Sequence, residues 1–339
     1  MQFHHNMKQL ILFLLIFSIS NATPLMEESN LVFEEQWAVA YSGFRKGQHP
    51  DRGFGAKNPT YEQTLEDLNI LLDYNFKLIR VYDSGENSEM VLQVIDENNL
   101  PIKVVLGAWL EAEISNHERC GWLHDPIPST KLKENKNKNK NEVKSAIRLA
   151  NRYPDIVAAI SVGNETQIFW HDHTVPEDSL LKYIKDVKSK TSQMVTVADD
   201  YGWWKDDGHR IAKELDFIGI HIHPFNHGKM QDADLEYSIK LYNEVLEALP
   251  DSKIVIMEAG WPTIASNWPN GHASEKHQSD YYNALKAWST TNNIPTFIFE
   301  AFDEPWKGMD PETDMGDPNT SEKHWGIFFE NRKPKVTLK

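Results

Sequence analysis

Two glutamates stand where a carboxylate pair could do chemistry. Glu165 follows Val162-Gly163-Asn164 at the end of an apolar run, and Glu258 follows the run Ile254 to Met257 and opens Glu258-Ala259-Gly260-Trp261-Pro262. Splitting the acetal between two sugars needs one carboxyl group to protonate the departing oxygen and another to attack or stabilise the anomeric carbon, so such a pair points to glycosidic bond chemistry. A lone strand-end glutamate could equally cap the next helix. The pair carries meaning only if the fold closes the 93 residues between them (258 minus 165).

The elements that must position them alternate in kind. Short apolar runs at Trp37 to Tyr41, Leu78 to Tyr82, Ile102 to Ala108, Ile156 to Val162, Val195 to Asp199, Phe217 to His221, Ile254 to Glu258 and Thr296 to Phe302 read as eight buried strands. Amphipathic stretches lie between them. Tyr61 to Tyr74 places Leu65, Leu68, Leu71 and Leu72 on one face, and Tyr237 to Leu249 does the same with Ile239, Tyr242, Val245 and Leu246. Eight strand and helix units predict an α/β chain folded as a single (β/α)8 TIM barrel, whose strand C-termini share one face. Glu165 then ends the fourth strand and Glu258 the seventh, both on that face. An open dinucleotide-binding sheet would want a glycine-rich phosphate loop after its first strand; Ser42-Gly43-Phe44-Arg45-Lys46-Gly47 lacks that pattern.

Composition narrows the partners. A net charge of -15 excludes a phosphate backbone as ligand, so no nucleic acid partner is expected, whereas a neutral glycan is indifferent to it. Lys8, the apolar run Leu10 to Ile19 and the small residues of Ser20-Asn21-Ala22 read as a signal peptide over 1–22, leaving 23–339 as the catalytic domain of a secreted protein. The apolar run is too short to span a bilayer, which takes about 20 residues. The single cysteine, Cys120, forbids an intrachain disulfide and reads as packed. Residues 110–141, ending in the Lys and Asn run Lys131 to Asn141, read as a long solvated loop before a helix at Val143 to Asn151.

Four further motifs run in order along the chain: Val162-Gly163-Asn164-Glu165, Glu258-Ala259-Gly260-Trp261-Pro262-Thr263, Phe299-Glu300-Ala301-Phe302-Asp303-Glu304-Pro305-Trp306-Lys307 and His324-Trp325-Gly326. With Ala40-Tyr41-Ser42-Gly43-Phe44-Arg45 and Ile79-Arg80-Val81-Tyr82-Asp83, they resemble the microbial branch of glycoside hydrolase family 17, the β-1,3-glucanases of a clan of retaining barrel enzymes. The resemblance implies Glu165 as acid/base, Glu258 as nucleophile, and Asn164 on the sugar 2-hydroxyl. It implies Arg80 as the cation near the nucleophile, and His223 where the clan places a Tyr or His that bonds it. Glu304 and Lys307 match the eighth-strand motif, either bonding sugar hydroxyls or forming a buried ion pair that braces the loop.

Tyr41, Tyr82, Trp109, Trp203, Trp204, Phe225, Trp261 and Trp306 lie at or beyond strand ends and are candidates for stacking on sugar faces. The histidines of His221-Ile222-His223 and His171-Asp172-His173 could suggest zinc, but this chemistry needs no metal and no cofactor. The expectation is therefore a monomeric, secreted, endo-acting β-1,3-glucan hydrolase that needs no cofactor and acts on laminarin-type chains with retention. Its alternatives are a β-1,3-glucan transglycosylase using the same residues, and a glucan-binding protein without catalysis.

Overall fold

The computed structural model describes residues 32–51, 55–227, 234–268, 272–308 and 316–339; the segment 1–22 expected to direct export lies outside them. Eight parallel strands close into a barrel in chain order: β1 Trp37–Ala40, β2 Leu78–Arg80, β3 Lys103–Ala108, β4 Val157–Asn164, β5 Met194–Asp200, β6 Ile218–Ile222, β7 Ile254–Ala259 and β8 Thr296–Ile298, with β8 returning to β1. Helices α1 Tyr61–Asp73, α2 Glu86–Glu97, α3 Ser129–Arg152, α4 Glu177–Lys188, α7 Asp234–Ala248 and α8 Glu275–Thr291 connect successive strands, and two short helices, α5 Tyr201–Asp206 and α6 His209–Ala212, follow β5. The expected barrel is present.

Alternation along each strand builds two apolar layers. Val39, Ile79, Val104, Leu106, Ile160, Ile220 and Ile256 belong to the layer that includes the helices' Leu68, Leu71, Val91, Leu149 and Ile184, while Ala38, Leu78, Val105, Ala159, Phe217, Val255 and Phe297 form a separate interior cluster. Phe33 joins that cluster, edge-on to Phe217 at 5.4 Å and Phe297 at 6.2 Å. Each Val, Leu, Ile or Phe among them taken fully out of water contributes about 1.5–3 kcal/mol. Two residues beyond Leu78 the same alternation delivers Arg80, and four beyond Phe217 it delivers His221, so the interior turns polar at its C-terminal end.

Two expectations are corrected. The eighth strand stops at Ile298 rather than Phe302, because the backbone beyond it exchanges hydrogen bonds with the C-terminal segment: Glu300 N with Trp325 O and Asp303 N with Phe328 O. The long loop is shorter than 110–141, because α3 begins at Ser129. Asn135 and Asn139 continue at four-residue spacing the buried stripe of Val143, Ala146 and Ala150. Their amides bond the backbone of the loop: Asn135 Nδ2 donates to Ala112 O at 3.0 Å, and Asn139 holds both the N–H (2.8 Å) and the carbonyl (2.9 Å) of Glu111. Read as solvated, these asparagines are the anchors of the 109–128 loop.

Strand pairing is irregular where the two glutamates leave the barrel. Between β6 and β7, Ile220 pairs with Ile256 but His221 pairs with Glu258, so Met257 is an extra residue that turns Glu258 to the level of His221. Between β4 and β5, Ser161 pairs with Thr196 and Asn164 with Ala198, again with one residue in excess, and Gly163 there has φ +85°. A side chain at Gly163 would be strained in that left-handed conformation.

Candidate active site

The two bulged strand ends bring the glutamates together. One oxygen of Glu165, one of Glu258 and a ring nitrogen of His221 all lie within 4.8 Å of one another. Around Glu258, Arg80 Nη1 donates to Oε1 at 2.9 Å, Tyr82 Oη donates to the same oxygen at 2.9 Å, and His223 Nε2 bonds Oε2 at 3.2 Å. Arg80 is buried. Its other nitrogen, Nη2, donates to Asn164 Oδ1 at 2.5 Å, and its guanidinium lies 4.5 Å from the Tyr82 ring centroid. One side chain thus aligns Asn164 and Glu258. Burial would raise the Glu258 carboxyl, but His221, the His223 hydrogen bond and Arg80 overcome it and pull it down to about 2.

Glu165 is held differently. His221 Nδ1 lies 2.8 Å from Oε1 and His171 Nε2 lies 3.0 Å from Oε2, so both oxygens face imidazoles. On its other side His221 Nε2 lies 3.1 Å from Arg80 Nη1 and 3.4 Å from Glu258 Oε1, so one imidazole stands between the two carboxylates. Burial opposes ionisation of Glu165, but the hydrogen bonds from His171 and His221 hold its carboxyl well below the usual range. Its neighbour Asp199 is pushed well above the carboxylate range by burial and by the Glu165 charge. The donor set does not suit a cation, because Arg80 already places a positive charge beside Glu258.

The other predicted residues separate into two groups. Asn164, Arg80, Tyr82 and His223 meet at the glutamates as described. Trp109, directly after β3, and Trp306, in the segment beyond β8, are half-buried, Trp109 against His173 with ring centres 4.9 Å apart and Trp306 edge-on to Phe44 at 5.9 Å. Tyr41, Trp261, Trp204 and Phe225 are buried and cannot stack on a sugar. Tyr41 Oη donates to Asp67 Oδ2, Trp204 Nε1 donates to Gly219 O at 2.7 Å, and Trp261 packs against Phe225 at 5.3 Å. Glu304, 2% exposed, likewise has no surface for a sugar hydroxyl. Lys307 Nζ bridges Glu300 and Glu304 at 2.7 Å each, so this motif forms the brace. Burial and the Glu304 charge push the Glu300 carboxyl well up.

Sequence reading missed four residues. His221, which the sequence offers as a possible metal ligand, bonds Glu165, and its two-residue spacing from His223 across the end of β6 puts both on one face. His171 lies within a motif read the same way. Trp122 and Phe169, 56% and 49% exposed, sit on the loops after β3 and β4 that meet at His171. No periodicity marks loop aromatics of this kind.

Glu142 supports the site from below. Its Oε1 accepts from Ser84 N at 2.6 Å and Trp109 N at 3.2 Å, tying the loops after β2 and β3. Burial and the Asp83 charge raise its carboxyl to about 7. A carboxyl raised on folding stabilises the fold when protonated, so its contribution fades as pH rises from about 4.5 to 7. Glu142→Gln keeps the acceptor and is expected to lose less stability between pH 5 and pH 8 than the wild type; equal losses in melting temperature would refute this.

Comparison with known proteins agrees with the geometry. A glucan 1,3-beta-glucosidase of Arthroderma benhamiae is 28% identical over 317 residues, covering 88% of this chain and 90% of that protein. A putative glucan endo-1,3-beta-glucosidase, btgC, of Aspergillus niger is 28% identical over 83% of this chain, which spans only 40% of the relative. Among solved structures, an endo-laminarinase from Formosa Hel1_33_131 superposes with a TM-score of 0.75 at 23% identity, over 92% of this chain and 88% of the other. A glycoside hydrolase family 17 beta-1,3-glucanosyltransferase from Rhizomucor miehei does so with 0.68 at 22% identity, over 89% and 96%. The family model for the BtgE/BtgC glycoside hydrolase domain matches residues 38–326, from β1 through the loop that closes the barrel behind β8, and the chain belongs to that family.

Proposed function

We propose that the chain is a secreted, endo-acting, retaining hydrolase of glycoside hydrolase family 17 that cleaves β-1,3-glucosidic bonds in laminarin-type glucan. The observation that carries the reading is a pair of carboxylates with oxygens within 4.8 Å of each other and with different surroundings. Retaining enzymes hold their carboxyl groups about 5–5.5 Å apart, whereas inverting enzymes leave about 6.5–9.5 Å for a water. Family membership and the names of the relatives supply the substrate class.

In this reading Glu258, kept ionised by Arg80, Tyr82 and His223, attacks the anomeric carbon and forms a glycosyl ester, while Glu165 protonates the departing sugar oxygen. Water activated by Glu165 then attacks from the side the leaving glucan vacated, and the configuration is restored. Asn164, fixed by Arg80, is placed for the 2-hydroxyl, and Trp109 and Trp306 offer half-buried rings to sugar faces. A second reading, glucanosyl transfer by the same residues, is favoured by exposed Trp122, edge-on at 6.0 Å to the His171 that bonds Glu165, where an incoming sugar could stack and exclude water.

The purified protein is expected to shorten laminarin from internal positions and to release the β-anomer first, read by proton NMR during the first minutes and by chain-length analysis. Early accumulation of chains longer than the substrate favours transfer. The α-anomer as first product, or no change in laminarin, would sink both readings.

A further inference from the structure

We propose that His171 is a positioning residue that stores the proton Glu165 delivers, so that the acid of the reaction is a Glu165–His171 unit; this rests on the assignment of Glu165 as acid/base. Both Glu165 oxygens are bonded to imidazoles, but the two differ in access. The His221 side chain is 1% exposed and is fixed from behind by Arg80, whereas that of His171 is 21% exposed and stands on the loop after β4. Only the outer imidazole can trade protons with solvent.

The loop is built to hold His171 in place. Asn116, from the loop after β3, donates to the carbonyls of Phe169 and His171, and Trp122 meets the His171 ring edge-on at 6.0 Å. Behind it, His171 Nδ1 lies 3.3 Å from His173 Nε2; that ring in turn reaches Asp172 Oδ1 at 3.1 Å and Asn164 O at 3.0 Å. The charged and titratable groups that face the pair are Glu258 from β7, His221 from β6 and His223 just beyond it, Asp199 and Asp200 from β5, and Asp172 and His173 from the loop itself. Burial would lower the His171 imidazole, but its bond to Glu165 and the Glu165 charge leave it raised. Glu165 is held low and His171 raised, so the contact between them favours the proton on the imidazole side.

The step balances. As the bond from the anomeric carbon to the leaving oxygen breaks and that to Glu258 forms, the proton on His171 Nε2 passes to Glu165 Oε2. The Oε2–H bond then turns from His171 to the leaving oxygen, which takes the proton as its bond to the anomeric carbon breaks. The released glucan carries the hydroxyl and His171 is neutral. When water resolves the glycosyl ester, its proton returns through Glu165 to His171.

His171→Gln keeps a donor to Glu165 but carries no titratable proton, so it isolates the role. On laminarin, kcat/KM is expected to fall about 10- to 100-fold, with the alkaline limb of its pH profile moved to lower pH. On dinitrophenyl β-laminaribioside, whose leaving group needs no proton, kcat/KM should stay within about twofold. An unmoved alkaline limb, or equal losses on both substrates, overturns the proposal. Full laminarin activity in Glu165→Gln would instead overturn the acid/base assignment beneath it. If the glutamine variant does not fold, nitrogen-15 NMR of the wild-type histidines decides. One imidazole must titrate at the midpoint of the alkaline limb; if none does, the proposal fails.

Discussion

Glu258→Gln is expected to remain folded and to lose laminarin cleavage by about 10⁴-fold or more, ~5.5 kcal/mol of transition-state stabilisation. An amide cannot form the glycosyl ester, and among the described residues the other carboxylate at the site, Glu165, is occupied by His171 and His221. The substitution should cost little in structure. The glutamine carbonyl can still accept from Arg80 and Tyr82, and the amide nitrogen turned to His223 is accommodated if that imidazole moves its proton to Nδ1, which has no partner among the described residues. Stability in acid supplies an independent reading. A carboxyl lowered to about 2 stabilises the fold above its unfolded value near 4.5, and this contribution is lost as pH falls from there towards 2. The variant should therefore show a flatter decline of melting temperature across that window. Reducing-sugar release within tenfold of wild type would remove Glu258 from the role.

Much of this was legible in the sequence because it rests on short-range patterns. The eight apolar runs and the amphipathic stretches between them are local, and they suffice to place Glu165 and Glu258 on one barrel face. The side chains that meet the pair were harder. Met257 as an extra residue in β7 cannot be seen in a strand read by alternation, yet it sets Glu258 opposite His221. Asn135 and Asn139 looked solvated because asparagine in a lysine-rich run usually is; their partners are backbone groups more than twenty residues earlier, which no local pattern reveals. Tyr41 and Trp261 failed as sugar platforms for the opposite reason. A strand-end position fixes where the Cα lies, not whether the ring turns to the cleft or, as here, inward to Asp67 and Phe225.

Arg80 is the side chain whose loss should reach furthest. It binds Glu258, Met257 O and Asn164 at once, and it is buried, so removing it leaves the Glu258 charge without its cation. Breaking such a pair costs about 3–5 kcal/mol. Arg80→Met is expected to lower kcat/KM on laminarin by about 10²- to 10³-fold, since a disordered Asn164 and a less ionised Glu258 both act in the transition state. The pH profile separates those two causes. Arg80 is one of the groups holding the Glu258 carboxyl down, so without it the acidic limb must move to higher pH. Arg80→Lys restores a charge but not the fork that spans Asn164 and Glu258, and it should return the acidic limb most of the way while leaving most of the rate loss. An acidic limb unmoved in the methionine variant would mean that His221 and His223 suffice to keep the nucleophile ionised. Full rate recovery in the lysine variant would mean that charge, and not alignment of Asn164, is what Arg80 provides.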